Sequence, residues 1–274
     1  MIRLAVRVPR GSAELVLAEL VELAPGGVEE VDLGNDVVEY AIYGAEGELP
    51  SLPDLDAAAG AVPVEVSSSV VADGWEERWK EFHRPVTVTG ALGELVISPP
   101  WDRSRSAAEV VIDPARAFGT GAHPTTRLSL ELLLALQPGG SCVDLGCGSG
   151  VLAICARRLG WEPVLGLDHD PLCVEATLAN ASANGEQVEA RRFDLLRDGP
   201  APGARLVLAN LLRPLLLEVS RAGLEGEGPE TIIASGLLVR EADEISGALG
   251  QAFGMEECAR LSEGDWAALC LRLS

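Results

Sequence analysis

Residues 143–154 read "VDLGCGSGVLAI": an apolar run broken by an acid, three glycines at alternate positions, then a second apolar run. Gly146, Gly148 and Gly150 make a turn between the strand-like "CVDL" and the helix-like "VLAICARR". A strand-to-helix turn of this kind is where open α/β sheets take their ligands. The loop that receives a dinucleotide has the spacing G-x-G-x-x-G, which sets a pyrophosphate on the helix N-terminus. Counted from Gly146, its third glycine falls at position 151, which is Val151. The pattern here is D-x-G-x-G-x-G from Asp144, without the lysine of a phosphate-cradling loop. A nicotinamide oxidoreductase is the weakest reading.

Two further acids follow strand-like runs. Asp168 ends "PVLGLD", 22 positions after Gly146, where a carboxylate accepts both hydroxyls of a ribose. Asp194, in "RRFDLL", is placed to accept from an adenine amino group. Asp144 beside the glycines favours a cation and repels a pyrophosphate. A nucleoside with a cationic arm and no phosphate meets these conditions, and S-adenosylmethionine is such a molecule. The competing reading is a tight turn with solvent-facing acids, which three acids after three successive strands make the poorer one.

The rest of the chain bounds the class. Its 274 residues are 47% apolar and 23% charged, with a formal net charge of −21, room for one large domain or a medium and a small one. No run approaches the roughly 20 apolar residues of a membrane span. The start, "MIRLAVRVPRGSAEL", lacks the apolar core of a secretory signal. A cytoplasmic protein without membrane contact is expected. Cys142, Cys147, Cys155, Cys173, Cys258 and Cys270 form no C-x-x-C pair and sit mostly in apolar runs. Buried thiols are expected, not disulfides or zinc, and three scattered histidines suggest no metal site. Nucleic-acid binders show a basic face. So acidic a chain is not expected to bind nucleic acid directly, whereas its charge suits solubility and a basic protein partner alike.

Three segments follow along the chain. Residues 1–66 read as a small α+β unit in the order β-α-β-β-α-β, a ferredoxin-like split fold and a recognition module, with Ser12 as the N-cap of its first helix. Residues 67–84 read as a linker. Trp75, Trp79 and Phe82 fall there at i, i+4 and i+7, a stripe better suited to pinning a connecting helix than to stacking bases. Over residues 85–274 apolar strands alternate with helices, which predicts a doubly wound, mostly parallel sheet covered on both faces. The tail "MEECARLSEGDWAALCLRL" predicts a closing antiparallel hairpin.

"VIDPARAFGTGAHPTTRLSLELL" (111–133), "LVLANLLRPLL" (206–216), "GWEERWKEFHRP" and "IIASGLLVRE" closely resemble segments of PrmA-type methyltransferases, which methylate large-subunit ribosomal protein eleven. The resemblance runs from about residue 73 almost to the end, and its most specific part is "DP…AFGTGAHPTT". It implies a seven-stranded Rossmann-like methyltransferase sheet and S-adenosylmethionine contacts at Thr126, Gly146, Asp168 and Asn210. Phe118 and Thr120 join them as candidates in a polar loop able to fold over the cofactor. Thr125 and Thr126 also read as an N-cap of the helix "RLSLELLLAL". Asn210 ends the fourth strand of the large unit, level with the glycines. Its carbonyl there accepts from an attacking amine and aligns the lone pair, which makes it the candidate catalytic residue. His123, followed by Pro124, reads as structural. Arg213 departs from the small or apolar continuation usual in the family.

The expected protein is an S-adenosylmethionine-dependent N-methyltransferase acting on lysine or N-terminal amines of a basic ribosomal protein. A monomer is favoured, with the oligomeric state left open. The alternatives are the same chemistry on another protein or a small amine, and a binding protein that holds the cofactor without turnover.

Overall fold

A computed structural model describes residues 2–13, 16–17, 20, 28–34, 36–44, 64–70, 84–114 and 121–273. The chain separates into two compact units, Met1–Phe82 and His83–Ser274.

In the first unit, β1 (Ile2–Pro9), β2 (Glu29–Gly34), β3 (Val37–Gly44) and β4 (Glu65–Val70) form a sheet in the order β2-β3-β1-β4, every neighbouring pair antiparallel. β1 and β2 therefore run parallel with β3 between them, the strand arrangement of a split β-α-β unit. Alternation puts Leu4, Val6, Val8, Val38, Tyr40 and Ile42 on one face, where Ala13, Val16 and Leu20 of the first helix pack at helical spacing. On the other face Glu39 accepts from Arg3 and Arg7 at 2.5 and 2.6 Å. The Arg3 bond is the main reason its carboxyl is held below the ordinary range despite burial. A 3₁₀ turn over Arg10–Ser12 leads into the helix, which begins at Ala13 directly after Ser12. β4 reaches Val70, past the expected boundary at residue 66. Its pairing with β1 continues through Ser67 and Ser68, so the whole strand belongs to the first unit. The expected second helix and the Trp75–Phe82 stripe lie outside the described residues.

The second unit opens with a separate small sheet of β5 (Val86–Gly90), β6 (Gly93–Ser98) and β7 (Glu109–Val111), in which β5–β6 is antiparallel and β6–β7 parallel. Then come α1 (Pro124–Leu133), β8 (Cys142–Leu145), α2 (Val151–Leu159), β9 (Val164–Asp168), α3 (Pro171–Asn184) and β10 (Glu189–Arg192). The short β11 (Ala201–Gly203) precedes β12 (Leu206–Asn210), α4 (Arg213–Ala222) and β13 (Leu224–Gly226), its parallel partner. β14 (Thr231–Leu238), α5 (Ala242–Phe253), β15 (Met255–Glu263) and β16 (Trp266–Leu273) complete the chain.

The seven-stranded sheet has the order β10-β9-β8-β12-β14-β16-β15. β10 through β14 pair in parallel, and β16 is antiparallel to both its neighbours. This is the expected doubly wound sheet with its closing hairpin. Cys142, Val164, Leu206, Leu208 and Ile233 face α1 and α2, while Val143, Leu145, Leu167, Val207, Ala209 and Ile232 face α4 and α5. Leu206, Val207 and Leu208 are wholly buried, which explains why a central parallel strand reads as an unbroken apolar run. Each such side chain contributes about 1.5–3 kcal/mol on burial. Chain direction across the sheet reverses between β8 and β12, and a crevice opens at the strand ends of such a switch point.

Candidate functional site

Strand parity brings the candidate residues together. On β8, Cys142 faces α1 and α2, so Asp144 does too; on β12 the same holds for Leu208 and Asn210. Gly166 pairs with Asp144, which puts Asp168 two residues on over the same face. Arg192 pairs with Asp168, Phe193 packs on the opposite face, and Asp194 follows two residues beyond the end of β10. Asp144, Asp168 and Asn210 thus line one side of the sheet at the carboxyl ends of three strands.

The glycine loop turns between β8 and α2. Gly146, Gly148 and Gly150 all have positive φ, at 72°, 53° and 80°, a region costly for side chains other than glycine. Added bulk has no room either: a Cβ on Gly146 would lie 2.5 Å from Leu211 Cδ2, and one on Gly150 would lie 2.9 Å from Thr177 Cγ2 and Oγ1. Amides of Gly146 and Cys147 both donate to Leu167 O. Asp168 accepts from Gly148 N and Asp170 N, at 3.0 Å each. An ionised carboxylate has about four acceptor positions, so Asp168 pins the loop and keeps capacity for a diol. His169 stands beside it, 3.3 Å from Oδ1 and exposed.

Asp144 is 1% exposed; Oδ2 accepts from Ala153 N at 3.1 Å, and Oδ1 has no partner. Burial raises its pKa to about 7, opposed by the Ala153 bond and assisted by the charge of Asp168. Thr126 is also wholly buried, with Oγ1 unpartnered. Asp194 accepts from Leu196 N at 3.0 Å, and Arg197 Nε lies 3.6 Å from its Oδ2, so its carboxylate is partly spent on its own turn. Phe118 and Thr120 lie outside the described residues.

α1 starts earlier than expected. Pro124 occupies its first turn and His123 is the N-cap, with Nδ1 accepting from Thr125 N at 3.3 Å and meeting Thr125 Oγ1 at 2.8 Å. Thr125 and Thr126 therefore sit inside the first turn and do not cap it; proline is preorganised for that position. Burial lowers the His123 pKa, with Arg127 adding to the effect, which favours the neutral ring whose Nδ1 accepts. The ring stands edge-on to Trp266, centroids 5.0 Å apart.

Several supporting residues escape the sequence reading. Thr177 Oγ1 donates to Gly148 O at 3.0 Å, and Asn180 Nδ2 to Ser149 O at 2.8 Å. Asn180 also accepts from Asp113 N, and Asn184 both donates to and accepts from Val111. α3 thereby ties the glycine loop to the segment that opens "VIDP". Their one signal is polar residues spaced along a helix that is otherwise apolar and small. Asn210 Oδ1 accepts from Ser235 Oγ at 3.0 Å, and Ser235 meets Ser129 of α1. Arg213 turns to Glu244 of α5, at 2.7 and 2.6 Å. Cys258 is exposed, against expectation, because β15 is the sheet's edge strand. Burial pushes the Cys155, Cys173 and Cys270 thiols up to about 12, far from the thiolate a cysteine nucleophile needs. Among the described residues, no helix is long and apolar enough to cross a membrane.

A cationic nucleoside fits this arrangement. It offers hydroxyls to Asp168 and positive charge to Asp144, whose Oδ1 lacks a partner, and the Cβ-free cradle admits it closely. Numbered in sheet-strand order the topology is 3-2-1-4-5-7-6, and with the glycine loop at the switch point it defines the Rossmann-like methyltransferase class.

Comparisons sharpen the class to a family. The profile of the family "Ribosomal protein L11 methyltransferase (PrmA)" matches residues 36–274. The ribosomal protein L11 methyltransferase of Shewanella halifaxensis (strain HAW-EB4) is 39% identical over 200 residues, 71% of this chain and 66% of that protein. Its counterpart in Burkholderia multivorans (strain ATCC 17616 / 249) is 33% identical over 269 residues, 89% of each chain. The crystal structure of ribosomal protein L11 methylase from Lactobacillus delbrueckii subsp. bulgaricus superposes with a TM-score of 0.57 at 28% identity. That match covers 66% of this chain and 95% of that one. The chain belongs to the ribosomal protein L11 methyltransferase family.

Proposed function

We propose that this chain transfers methyl groups from S-adenosylmethionine to lysine side-chain or N-terminal amines of ribosomal protein L11. The observation that carries the reading is the gathering of Asp144, Asp168 and Asn210 on one face at the switch point, around a loop that rejects side chains. When bound, the cofactor supplies a methyl group made electrophilic by its sulfonium. The chain's own groups do the rest. Asp168 receives the ribose hydroxyls while holding Gly148 N. Asp144 favours the cationic amino-acid end, and Thr126 contributes its hydroxyl. Asn210 takes a hydrogen bond from the incoming amine and aligns its lone pair for in-line displacement, in which orientation counts for more than acid–base power. A lysine, with a free pKa of about 10.4, loses its proton more readily in a desolvated pocket. The N-terminal unit recognises the protein substrate, and the net charge of −21 draws a basic one. The reaction belongs in the cytoplasm.

Intact-mass spectrometry of ribosomal protein L11, incubated with the chain and S-adenosylmethionine, tests this. Stepwise gains of whole methyl groups, absent with Asp168→Ala, are expected. No gain despite calorimetric cofactor binding would overturn the substrate and move the search to other proteins and amines. No cofactor binding would overturn the chemistry.

A further inference from the structure

The Asn210 carboxamide meets two buried hydroxyls in series, and the protons between them do not balance. Ser129 Oγ donates to Thr125 O at 2.8 Å, Ser129 Oγ and Ser235 Oγ lie 2.5 Å apart, and Ser235 Oγ stands 3.0 Å from Asn210 Oδ1. Each of these three contacts needs one proton between its two atoms. A serine hydroxyl carries one, so Ser129 and Ser235 supply two. With Oδ1 turned toward Ser235 the carboxamide supplies none. One pair of oxygens then faces the other without a proton, at residues 1% and 0% exposed where no solvent relieves it. Half a turn about the Cβ–Cγ bond exchanges Nδ2 for Oδ1 and moves no other heavy atom. Nδ2 then donates to Ser235, Ser235 to Ser129, and Ser129 to Thr125 O. Three contacts have three protons, all running the same way.

We propose that Asn210 works in this second orientation, and that Ser235 and Ser129 are the positioning residues that hold it there. The carbonyl is then the end turned away from Ser235, where it accepts from an amine. With the amide reversed, that end would present N–H groups, which repel the N–H of the incoming nucleophile. The surroundings fix the relay in place. Ser235 is the register partner of Asn210, and Leu211 N donates to Ser235 O at 3.0 Å just beyond. The register of β14 against β16 shifts between Ala234 and Leu237. Within that shift Gly236 has φ 81°, and a Cβ there would lie 2.6 Å from Leu211 O. Bulges of this kind re-aim side chains beside active sites.

The functional part rests on the reading of Asn210 given above, whereas the orientation is a property of the free protein. NMR of the labelled full chain reads it directly. Strong cross-peaks from the Asn210 side-chain amide protons to the Ser235 β protons, assigned by their loss in Asn210→Asp, are expected. Weak or missing cross-peaks would overturn the proposal. Ser235→Thr against Ser235→Val then isolates the hydroxyl, since the two replacements share a shape. The Thr variant is expected to turn over about tenfold faster than the Val variant, the scale of one hydrogen bond, at equal cofactor affinity and with both variants fully folded at the assay temperature. Equal turnover beside strong cross-peaks would overturn the positioning role, and with it the assignment of Asn210 as the amine's acceptor. A difference that tracks melting temperature or cofactor affinity would assign the serines to stability alone and overturn it likewise.

Discussion

At the ends of β8 and β9 the acids are held by main-chain amides, Gly148, Asp170 and Ala153, all within twenty residues of the carboxylate they serve. At the end of β12 the Asn210 carboxamide is held by side chains, a hydroxyl 25 positions away backed by another 106 positions from that one. The first half of the site forms wherever its loop forms. The second exists only when α1 is packed on β14, since the Ser129–Ser235 contact bridges them. The division matches the chemistry proposed for each. Charges that bind a cofactor need to be present and roughly placed, whereas a group that aligns a lone pair must be held in one rotamer. Substitutions in the first half should therefore move cofactor affinity, and those in the second should move turnover.

The largest expected effect is Asp168→Ala. It removes the acceptor of Gly148 N and Asp170 N and the proposed partner of the ribose hydroxyls together. Hydrogen bonds to a charged group contribute about 1.5–3 kcal/mol each. Losing two toward the ligand raises the cofactor Kd about 100-fold or more, read by calorimetry. A rise of less than about tenfold would break the division of labour between the halves.

Asp144→Asn sharpens the same comparison because stability and binding should move in opposite directions. Burial lifts the carboxyl from 3.8 to about 7. A raised pKa means the folded chain holds its proton more tightly than the unfolded one. The associated stability is full below about pH 4 and is lost as pH rises through about 7. At 1.36 kcal/mol per pKa unit, the loss amounts to about 4 kcal/mol. In urea titrations the wild type should lose that much between pH 4 and pH 7.5 relative to Asp144→Asn. At pH 7.5 the variant should be the more stable protein and the weaker binder of a cationic ligand. A flat difference across that range would show that Asp144 is not the buried, proton-holding acid described.

Gly150→Ala probes the loop without touching a charge. It puts a side chain at φ 80° and within 2.9 Å of Thr177. Strain of this kind costs about 1–3 kcal/mol, visible as a lower urea midpoint at unchanged slope. Unchanged stability would mean that the loop relaxes freely and is not the fixed cradle that the left-handed glycines imply.

The unequal legibility of the two halves has the same cause as their unequal construction. The three glycines, Asp144 and Asp168 announce themselves because a βα turn and a strand-end acid are local patterns. Strand parity then carries them to one face. Asn210 was legible only through family resemblance in "LVLAN". Its partners were not legible at all: Ser129 inside "RLSLELL" and Ser235 inside "IIASG" read as small residues tolerated in apolar runs. Only the packing of a helix onto a strand turns two such hydroxyls into a relay. The same limit explains the cap of α1, where a histidine nitrogen does what a threonine hydroxyl was expected to do.

Arg213 breaks the small or apolar continuation expected after "LVLAN", and the structure answers it least expectedly. The residue begins α4, two positions after Leu211, whose side chain is what a Cβ on Gly146 would strike. Its guanidinium nevertheless forks onto Glu244, and both side chains remain substantially exposed, at 39% and 49%. Exposed pairs of this sort contribute little to stability. Arg213→Ala should therefore leave the urea midpoint essentially unchanged, as surface changes do, and the cofactor Kd unaltered. The informative quantity is kcat/KM for the protein substrate. If it too is unchanged, the departure is a surface bond between α4 and α5 and nothing more. If it falls tenfold with kcat constant, Arg213 leaves Glu244 when substrate docks, and the rim beside Asn210 belongs to substrate binding as well as to catalysis.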